Sequence, residues 1–471
     1  MLLSVQHYAI LHIGGNQMKK LLCLFLVTIL MLAFSACSNE KASTGNVKTS
    51  SEAKTSNDIE KSSKIQTPSN IQTPSKAQAP IKTQTPSKRQ TPSKSQTANK
   101  IKVNDKKLGD LHNAIQSKNP APVVKEDFKP LIDTGFSEGN GTQTNPYIIK
   151  TAAQLVYFSE KINKGEMNGG AYFALGADID MTGVKFSPIG NSAHRFSSNF
   201  DGRGFTVSNL TPKLIYEDLG YNANYSCGFF GIVENAEIKN LHLENINITY
   251  SFESDYFTEI GLLAACVYPT RECKITDCIV NGSINVETEV LLAGGIVGDI
   301  FVTNGARLEF KRLQSNTKLQ VHSDSVNAGA ISGSFLGRGV ENFSDIFVQS
   351  QILNNSMYSS YIGAFGGVSN STGSMNVSNC FIKINTNKKL DDQIHPLIGG
   401  IIDSYEPSGR FNFTNVFGFA DGCSELYEIL SKNLVKEVNC GVTDVLPTNC
   451  NFNAQIWDIS NPSAPFIKFN F

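Results

Sequence analysis

Three patterns of apolar and polar positions succeed one another along the chain. Leu21 to Ala33 is an apolar run interrupted only by Thr28. Ser38 to Lys125 follows, 88 residues without one Phe, Tyr or Trp. From Phe128 onward apolar residues return in short clusters divided by Gly, Pro and Asn, the rhythm of strands and turns rather than of amphipathic helices. One segment breaks that rhythm. Thr151-Ala152-Ala153-Gln154 has the form of a capping box, with Thr151 as N-cap and Gln154 reaching back. Leu155, Phe158 and Ile162 follow at helical spacing, and Gly165 closes the helix. The pattern predicts a strand at Tyr147-Ile148-Ile149, one short helix, and then turn-rich β-structure through Phe205.

Beyond Cys227 the clusters repeat. A five-residue block recurs as Cys227-Gly228-Phe229-Phe230-Gly231, Gly261-Leu262-Leu263-Ala264-Ala265, Gly294-Gly295-Ile296-Val297-Gly298, Gly329-Ala330-Ile331-Ser332-Gly333, Gly363-Ala364-Phe365-Gly366-Gly367 and Gly399-Gly400-Ile401-Ile402-Asp403. Its starts lie 34, 33, 35, 34 and 36 residues apart. A second mark lies about a dozen residues into each repeat: Asn240-Leu241, Asp277-Cys278, Asp345-Ile346, Asn379-Cys380 and Asn415-Val416, with Arg312-Leu313 departing in the third. A period of this length belongs to a solenoid, a propeller or an array. The glycine-studded, β-rich repeats exclude helical solenoids, and a propeller blade needs a longer unit. Small residues at one fixed place suit a corner where successive turns stack closely. Each Asn or Asp is expected at a bend, its side chain bonding to backbone, and the apolar residue after it in a shared core. An all-β fold results: a parallel β-helix of about six coils, ~29 Å long at ~4.8 Å per coil, behind an N-terminal cap that contains the one short helix.

The Gly-apolar-apolar-Gly blocks resemble the GLUG motif, found in bacterial surface proteins and in the N-terminal regions of some IgA-cleaving metallopeptidases. Gly135 to Asn145-Pro146-Tyr147, Leu175-Gly176-Ala177-Asp178-Ile179-Asp180, Pro188-Ile189-Gly190 and Phe200-Asp201-Gly202 are similar to the segment that commonly precedes such repeats. Ile456-Trp457-Asp458 with Pro465-Phe466-Ile467 is similar to a familiar close. The resemblance covers roughly Phe128 to Phe471. It implies a right-handed β-helix on a cell surface, a setting often attributed to adhesion. The expected division is 126–226 cap, 227–422 repeats and 423–471 closing segment.

Charge separates the two halves. The chain nets −1, yet 38–125 holds 16 basic and 6 acidic side chains, and Lys19 and Lys20 add two more positive charges. The folded remainder therefore carries −13, which argues against nucleic acid as its partner. The basic half is a spacer in composition. Gln66-Thr67-Pro68 recurs every six residues through Gln90-Thr91-Pro92, with Ala79 in place of Thr in the third copy, so no helix continues and nothing apolar is available to bury. Residues 38–125 are expected to be a disordered, extended stalk. Lys19-Lys20, the apolar run and Phe34-Ser35-Ala36-Cys37 read as a secretory signal. The small residues before Cys37 resemble the lipobox of bacterial lipoproteins, with Phe34 where Leu is usual. That resemblance implies diacylglycerol on Cys37, a membrane anchor facing outside, and residues 1–37 as a signal whose true start is Met18.

Catalytic motifs are absent from this reading. There is no His-Glu-x-x-His, no Gly-x-Ser-x-Gly and no phosphate-binding glycine loop. His194, His242, His322 and His395 have no local partner in sequence and read as surface residues. Asp178-x-Asp180-x-Thr182-Gly183 begins like a calcium loop, but Ile189 stands where a bidentate Glu is needed, so a turn is the simpler account. Cys266 with Cys273, and Cys440 with Cys450, are close enough for bridges, whereas Cys278 and Cys380 read as small core residues. No cofactor or metal is expected. The leading functional expectation is adhesion to a glycan, matrix or cell-surface partner. A polysaccharide lyase or hydrolase using Asp178, Asp180 and Asp201 is the rival, and a purely structural envelope protein is the third.

Overall fold

The computed structural model describes residues 135–136, 138–218, 223–252, 256–356, 360–363, 365–371, 373–387, 393–394, 398–401, 410–421, 423–426 and 435–469. The signal, Cys37, the stalk and His395 lie outside the described residues. The body is a parallel β-helix. Two coils have one long strand and one short one, Glu272–Gly294 with Val297–Val302 and Arg307–Gly329 with Ser332–Gly337. In the coils on either side the long strand is divided, as in Val340–Asn354 and Tyr361–Gly363. The short strands form a six-stranded sheet running from Phe230–Val233 to Ile398–Ile401. Parallel pairing begins as early as Tyr147–Ile149, which aligns with Tyr172–Leu175.

Register makes the core. Cys278 pairs with Leu313, Leu313 with Ile346, Ile346 with Cys380 and Cys380 with Val416. Together with Leu241 they form one buried apolar rung through the stack, as expected of the residue after each Asn or Asp. The long strands bend at the residue just before that rung. Asn240, Asp277, Arg312, Asp345, Asn379 and Asn415 all have φ between +51° and +56°, a region that Asn and Asp enter at least cost among residues with a side chain. Their side chains do something other than the expected bond to local backbone: they bond to one another. The Asn415 amide donates to Asn379 Oδ1 (3.1 Å) and that of Asn379 to Asp345 Oδ1 (3.3 Å). Asn439 extends the column with an amide bond to Asn415 Oδ1 (2.8 Å). Arg312, the one departure in sequence, keeps the bend and binds the Asp277 carboxylate below it through Nε and a terminal nitrogen. Charge pairing there replaces the amide rung.

The first five glycine blocks are corners, whereas the sixth, Gly399-Gly400-Ile401, lies inside the short strand Ile398–Ile401. At the corners, space rather than φ requires glycine. Neither Gly294 nor Gly329 has positive φ. A Cβ at either would lie 1.7 Å from a carbonyl oxygen, of Val297 and Ser332 respectively. Because those atoms are backbone on the short strand just past the corner, no rotamer change can make room.

A helix covers the N-terminal end, and the closing segment packs on the wall. Helix α1, Ala152–Asn163, is N-capped by Thr151, and Gly165 at φ +75° ends it. The Gln154 side chain accepts from Lys150 N–H (2.7 Å), one residue earlier than a standard capping box places it. Leu155, Phe158 and Ile162 are buried, and the Phe158 ring sits 4.4 Å from that of Phe173 and 5.8 Å from that of Phe200, sealing the first coils. Toward the other end, Phe347, Phe381 and Phe417 stack in register on the outside of the wall. Leu446, Phe452, Trp457 and Ile467 of the closing segment bury them. Trp457 Nε1–H also donates to Asp345 Oδ1 (3.3 Å), and Ile467 N–H to Gln314 Oε1 (3.2 Å). No helix among the described residues is long and apolar enough to cross a membrane.

The eight described cysteines are all free thiols, so neither expected bridge forms. Cys273 is buried and pairs with Leu308 in the long-strand sheet, whereas Cys266 lies in the short sheet beside Asp299. Adjacent in sequence, they belong to different sheets. Cys278 and Cys380 are core residues as their slot implied, and burial pushes the Cys278 thiol up to about 12.

Candidate binding groove

The wall of long strands is drawn inward at one place. Gly282, Thr317 and Ser350 share a register position, and a Cβ on the corner residue Gly295 would lie 2.7 Å from Thr317 Oγ1. Only small side chains fit between strand and corner, so the strands run close to the axis there. Thr317 and Ser350 satisfy each other at 2.8 Å. The outer surface is correspondingly concave: a groove of about 450 Å³ crosses the coils. Two ladders of outward side chains line it, Asn281–Asn316–Gln349 on one side and Ser283–Lys318–Gln351–Asn385 on the other. Glu244 and Asn245 close one end, where the strand His242–Ser251 carries an extra residue opposite Asn281 and Asn245 has φ +55°.

The groove's chemistry is amide and hydroxyl, with one carboxylate and one ammonium. Asn281 donates to Glu244 Oε2 (2.8 Å) and accepts from the Asn316 backbone N–H (3.0 Å). His242 Nε2 lies 3.0 Å from the same Glu244 oxygen and its Nδ1 3.2 Å from Thr206 Oγ1. This fixes one end of the groove, while Asn316, Lys318, Gln349, Gln351 and Asn385 stand exposed. Such a surface binds by many directed hydrogen bonds to a polar ligand. None of the groove residues was singled out from sequence. The signal was present at two positions of the repeat, where Asn, Ser, Gln or Lys recurs at the period of the glycine blocks, but it carries no motif.

The aspartates expected as a low-odds cluster are placed in turns and ladders. Asp178 accepts from Thr206 N–H (2.8 Å). Asp180 accepts from Thr182 N–H and hydroxyl and from the Asn209 amide, and these bonds hold its carboxyl below the usual range. Asp201 accepts from Arg203 N–H and from the Asn240 amide (2.9 Å each), at the foot of the long Asn/Asp column. His194 Nδ1 lies 2.9 Å from the Asn163 carbonyl at the end of α1, and His322 is 3.9 Å from Glu287. Among the described residues no group of three His, Cys, Asp or Glu side chains has metal-binding geometry.

A different set of acids is gathered where sequence gave no sign. Glu259, in the five-residue strand Phe257–Gly261, and Asp299, on the short strand of the next coil, are 8% and 6% exposed. Glu217 is as deeply buried and holds Ser192 N–H at 2.8 Å. Asp299 accepts from the Ser334 hydroxyl, and Glu259 from the Asn224 amide (3.2 Å). Burial and then the mutual repulsion of the acids push Glu259 well above the carboxylate range; burial pushes Asp299 up to about 6. A carboxyl raised on folding stabilises fully below its unfolded value, near 4, and loses that contribution as pH rises through the folded value. The melting temperature should therefore fall between about pH 4 and 7, and Asp299→Asn should flatten that slope. A slope unchanged in the variant would mean that Asp299 is not the titrating group.

The fold and groove define a class: a parallel β-solenoid whose coils present a ladder of polar side chains in a shallow trough. No family model matches the chain. A protein assigned as a Gly-rich membrane protein in Evansella cellulosilytica is 33% identical over 121 residues, covering 24% of this chain and 13% of that one. Halomucin of Haloquadratum walsbyi is 27% identical over 185 residues, 36% of this chain and 2% of its own length. The chain thus spans only a small part of either relative. A solved chain assigned as an immunoglobulin A1 protease from Bacteroides ovatus aligns over 71% of this chain and 96% of its own, at 17% identity and a TM-score of 0.39.

Proposed function

We propose that this protein is a surface-displayed, lipid-anchored binding protein whose β-helix holds a glycan or a glycosylated partner in the groove. The observation that carries the reading is the pair of amide and hydroxyl ladders, repeated at coil spacing along a concave wall. A repeating polar trough suits a repeating polar polymer, because each coil offers the same donors and acceptors one strand spacing further on. The signal-like N-terminus, Cys37 and the stalk supply the route to the surface, and the names of the two relatives, a membrane protein and a halomucin, agree with that setting. The buried Glu259 and Asp299 favour one second reading, hydrolysis or lyase chemistry, since paired carboxyls with raised values are the equipment of such sites.

Glycan and matrix-protein arrays probed with the purified protein test both. Saturable binding is expected, and Asn316→Ala with Gln349→Ala should weaken it about tenfold or more, the loss of two hydrogen bonds at about 1 kcal/mol each. Binding that ignores both substitutions would remove the groove from the account. Product in the mass spectrum of any hit, lost in Glu259→Gln, would replace binding by catalysis.

A further inference from the structure

A second surface stands at the far end of the groove's first strand. His242–Ser251 leaves the groove at Asn245 and runs seven residues to Ser251, about 23 Å of extended chain. Its outward side chains Asn247, Thr249 and Ser251 are exposed and uncharged. They are knitted to one another and to the next coil: Thr249 Oγ1 donates to Asn247 Oδ1 (3.3 Å), Ser283 Oγ to Asn247 Oδ1 (3.1 Å) and Ser251 Oγ to Glu287 Oε2 (2.9 Å). Just past Ser251 four aromatic rings gather. Tyr225 packs on Phe252 at 4.8 Å, Tyr216 on Tyr225 at 5.2 Å, and Tyr256 on Tyr216 at 6.2 Å. Phe252 and Tyr225 are partly covered, while Tyr216 and Tyr256 are 49% and 47% exposed. The hairpin of Ile215–Asp218 and Ala223–Cys227 supplies the base, with Tyr216 directly opposite Tyr225.

We infer that Tyr216 and Tyr256 form a stacking platform for one ring of a neutral oligosaccharide whose remaining rings lie along Asn247, Thr249 and Ser251 toward the groove. This rests on the glycan reading of the groove and adds to it a second subsite and a charge class. A pyranose has an apolar face of C–H groups and an equatorial belt of hydroxyls. The face packs on the tyrosine rings, whose π-electron density attracts the slightly positive C–H hydrogens, and the belt meets the amides and hydroxyls of the strand. Residues 245–252 hold no charged side chain, and Glu287, which accepts from the Ser251 hydroxyl, is acidic. Uronates and sulfated sugars are disfavoured there by like charge. Nucleic acid, which also stacks on aromatic rings, requires cations for its phosphates. The two exposed rings pack on each other at 6.2 Å with their planes tilted 59°, and Tyr216 is backed by Tyr225, so a sugar ring can settle on them without the cost of ordering flexible side chains.

The test is calorimetry of the full chain with soluble hexasaccharides of three kinds: neutral hexoses, N-acetylhexosamines and uronates. One of the neutral series should bind, and Tyr216→Ala with Tyr256→Ala should weaken it at least tenfold, while Tyr216→Phe with Tyr256→Phe, which keeps both ring faces, should bind within about threefold of the parent. Both pairs are half-exposed positions, so unchanged melting temperatures will verify folding. If the Ala pair binds like the parent while Asn316→Ala with Gln349→Ala weakens binding, the platform is wrong and the groove stands. If the Ala pair weakens binding while the groove pair does not, the groove reading falls and the platform stands. Preference for uronates overturns the neutral class. Failure of every oligosaccharide, with Tyr-dependent binding to a matrix protein alone, overturns the sugar assignment altogether.

Discussion

Gly329→Ala should unfold the middle of the solenoid. A Cβ there would lie 1.7 Å from the Ser332 carbonyl oxygen, 2.6 Å from its carbon and 3.0 Å from the Gly363 oxygen. A methyl group needs roughly twice the first distance, and all three atoms are backbone, fixed by parallel pairing to the coils above and below. Relief requires moving the corner away from its neighbours, which breaks the bonds that Gly295 N–H and Ala330 N–H make from coil to coil (2.9 and 3.2 Å). Overpacking of this kind costs about 3 kcal/mol or more. In a stacked fold that loss falls on the interfaces on both sides of the corner, since each coil is held chiefly by its neighbours. Urea denaturation should show a midpoint lowered by a large fraction, or a new early transition. Gly305→Ala makes a useful contrast, because a Cβ there meets nothing within 4 Å and only its φ of +80° opposes the change. Equal midpoints for the two variants would refute the close-packed corner.

Trp457→Ala is the second large effect. The indole is 1% exposed, its ring lies 4.5 Å from Phe452, and its nitrogen is bonded to Asp345. Losing a buried Trp costs about 3–5 kcal/mol. Here the consequence is specific, because among the described residues the closing segment supplies the rest of the buried cluster that Phe347, Phe381 and Phe417 share. With the segment released, three in-register phenylalanines become a flat apolar strip on a parallel sheet, the kind of surface that associates. Binding of an apolar dye and concentration-dependent aggregation are expected at temperatures where the parent is monodisperse. Trp457→Phe should keep the cover and lose mainly the bond to Asp345. A soluble, dye-free Ala variant would mean that the segment is an accessory.

Much of this was legible in the sequence, for a physical reason. In a solenoid each coil meets nearly the same neighbours, so each structural need is written several times. Five glycine blocks and six bend residues at one period mark the corners, and the residue after each bend the core rung. The sixth block, Gly399-Gly400-Ile401, falls instead inside the short strand Ile398–Ile401, because a run of small residues does not by itself fix the register. Helix α1 was legible from its own local chemistry at Thr151, Gln154 and Gly165. What escaped was whatever happens once or between elements. Gln154 chose the Lys150 N–H, a matter of local geometry. The Asn/Asp side chains preferred one another to backbone because the stack brings identical residues to hydrogen-bond distance. Cys266 and Cys273 are near in sequence but on different sheets. Glu217, Glu259 and Asp299 come from three separate short strands, Ile215–Asp218, Phe257–Gly261 and Val297–Val302, and only the folded coil brings them together. The groove lay between these cases: its ladders repeat, but as ordinary polar residues on an outward face they look like solvation until the inward Gly282, Thr317 and Ser350 explain why the wall is concave there.

The closing segment also decides how the molecule would respond to force. Hydrogen bonds between coils lie along the solenoid axis, so a pull on the C-terminal end loads them one coil at a time and unzips the stack. Through Gln314, Phe347, Phe381 and Phe417 the segment grips four successive coils from outside. A pull on the C-terminal end must first strip that brace, loading all four together, before the last coil is free to peel. The same coils in a chain cut before Leu446 would yield at lower force and in smaller steps, with a sawtooth where the whole protein gives a single high peak.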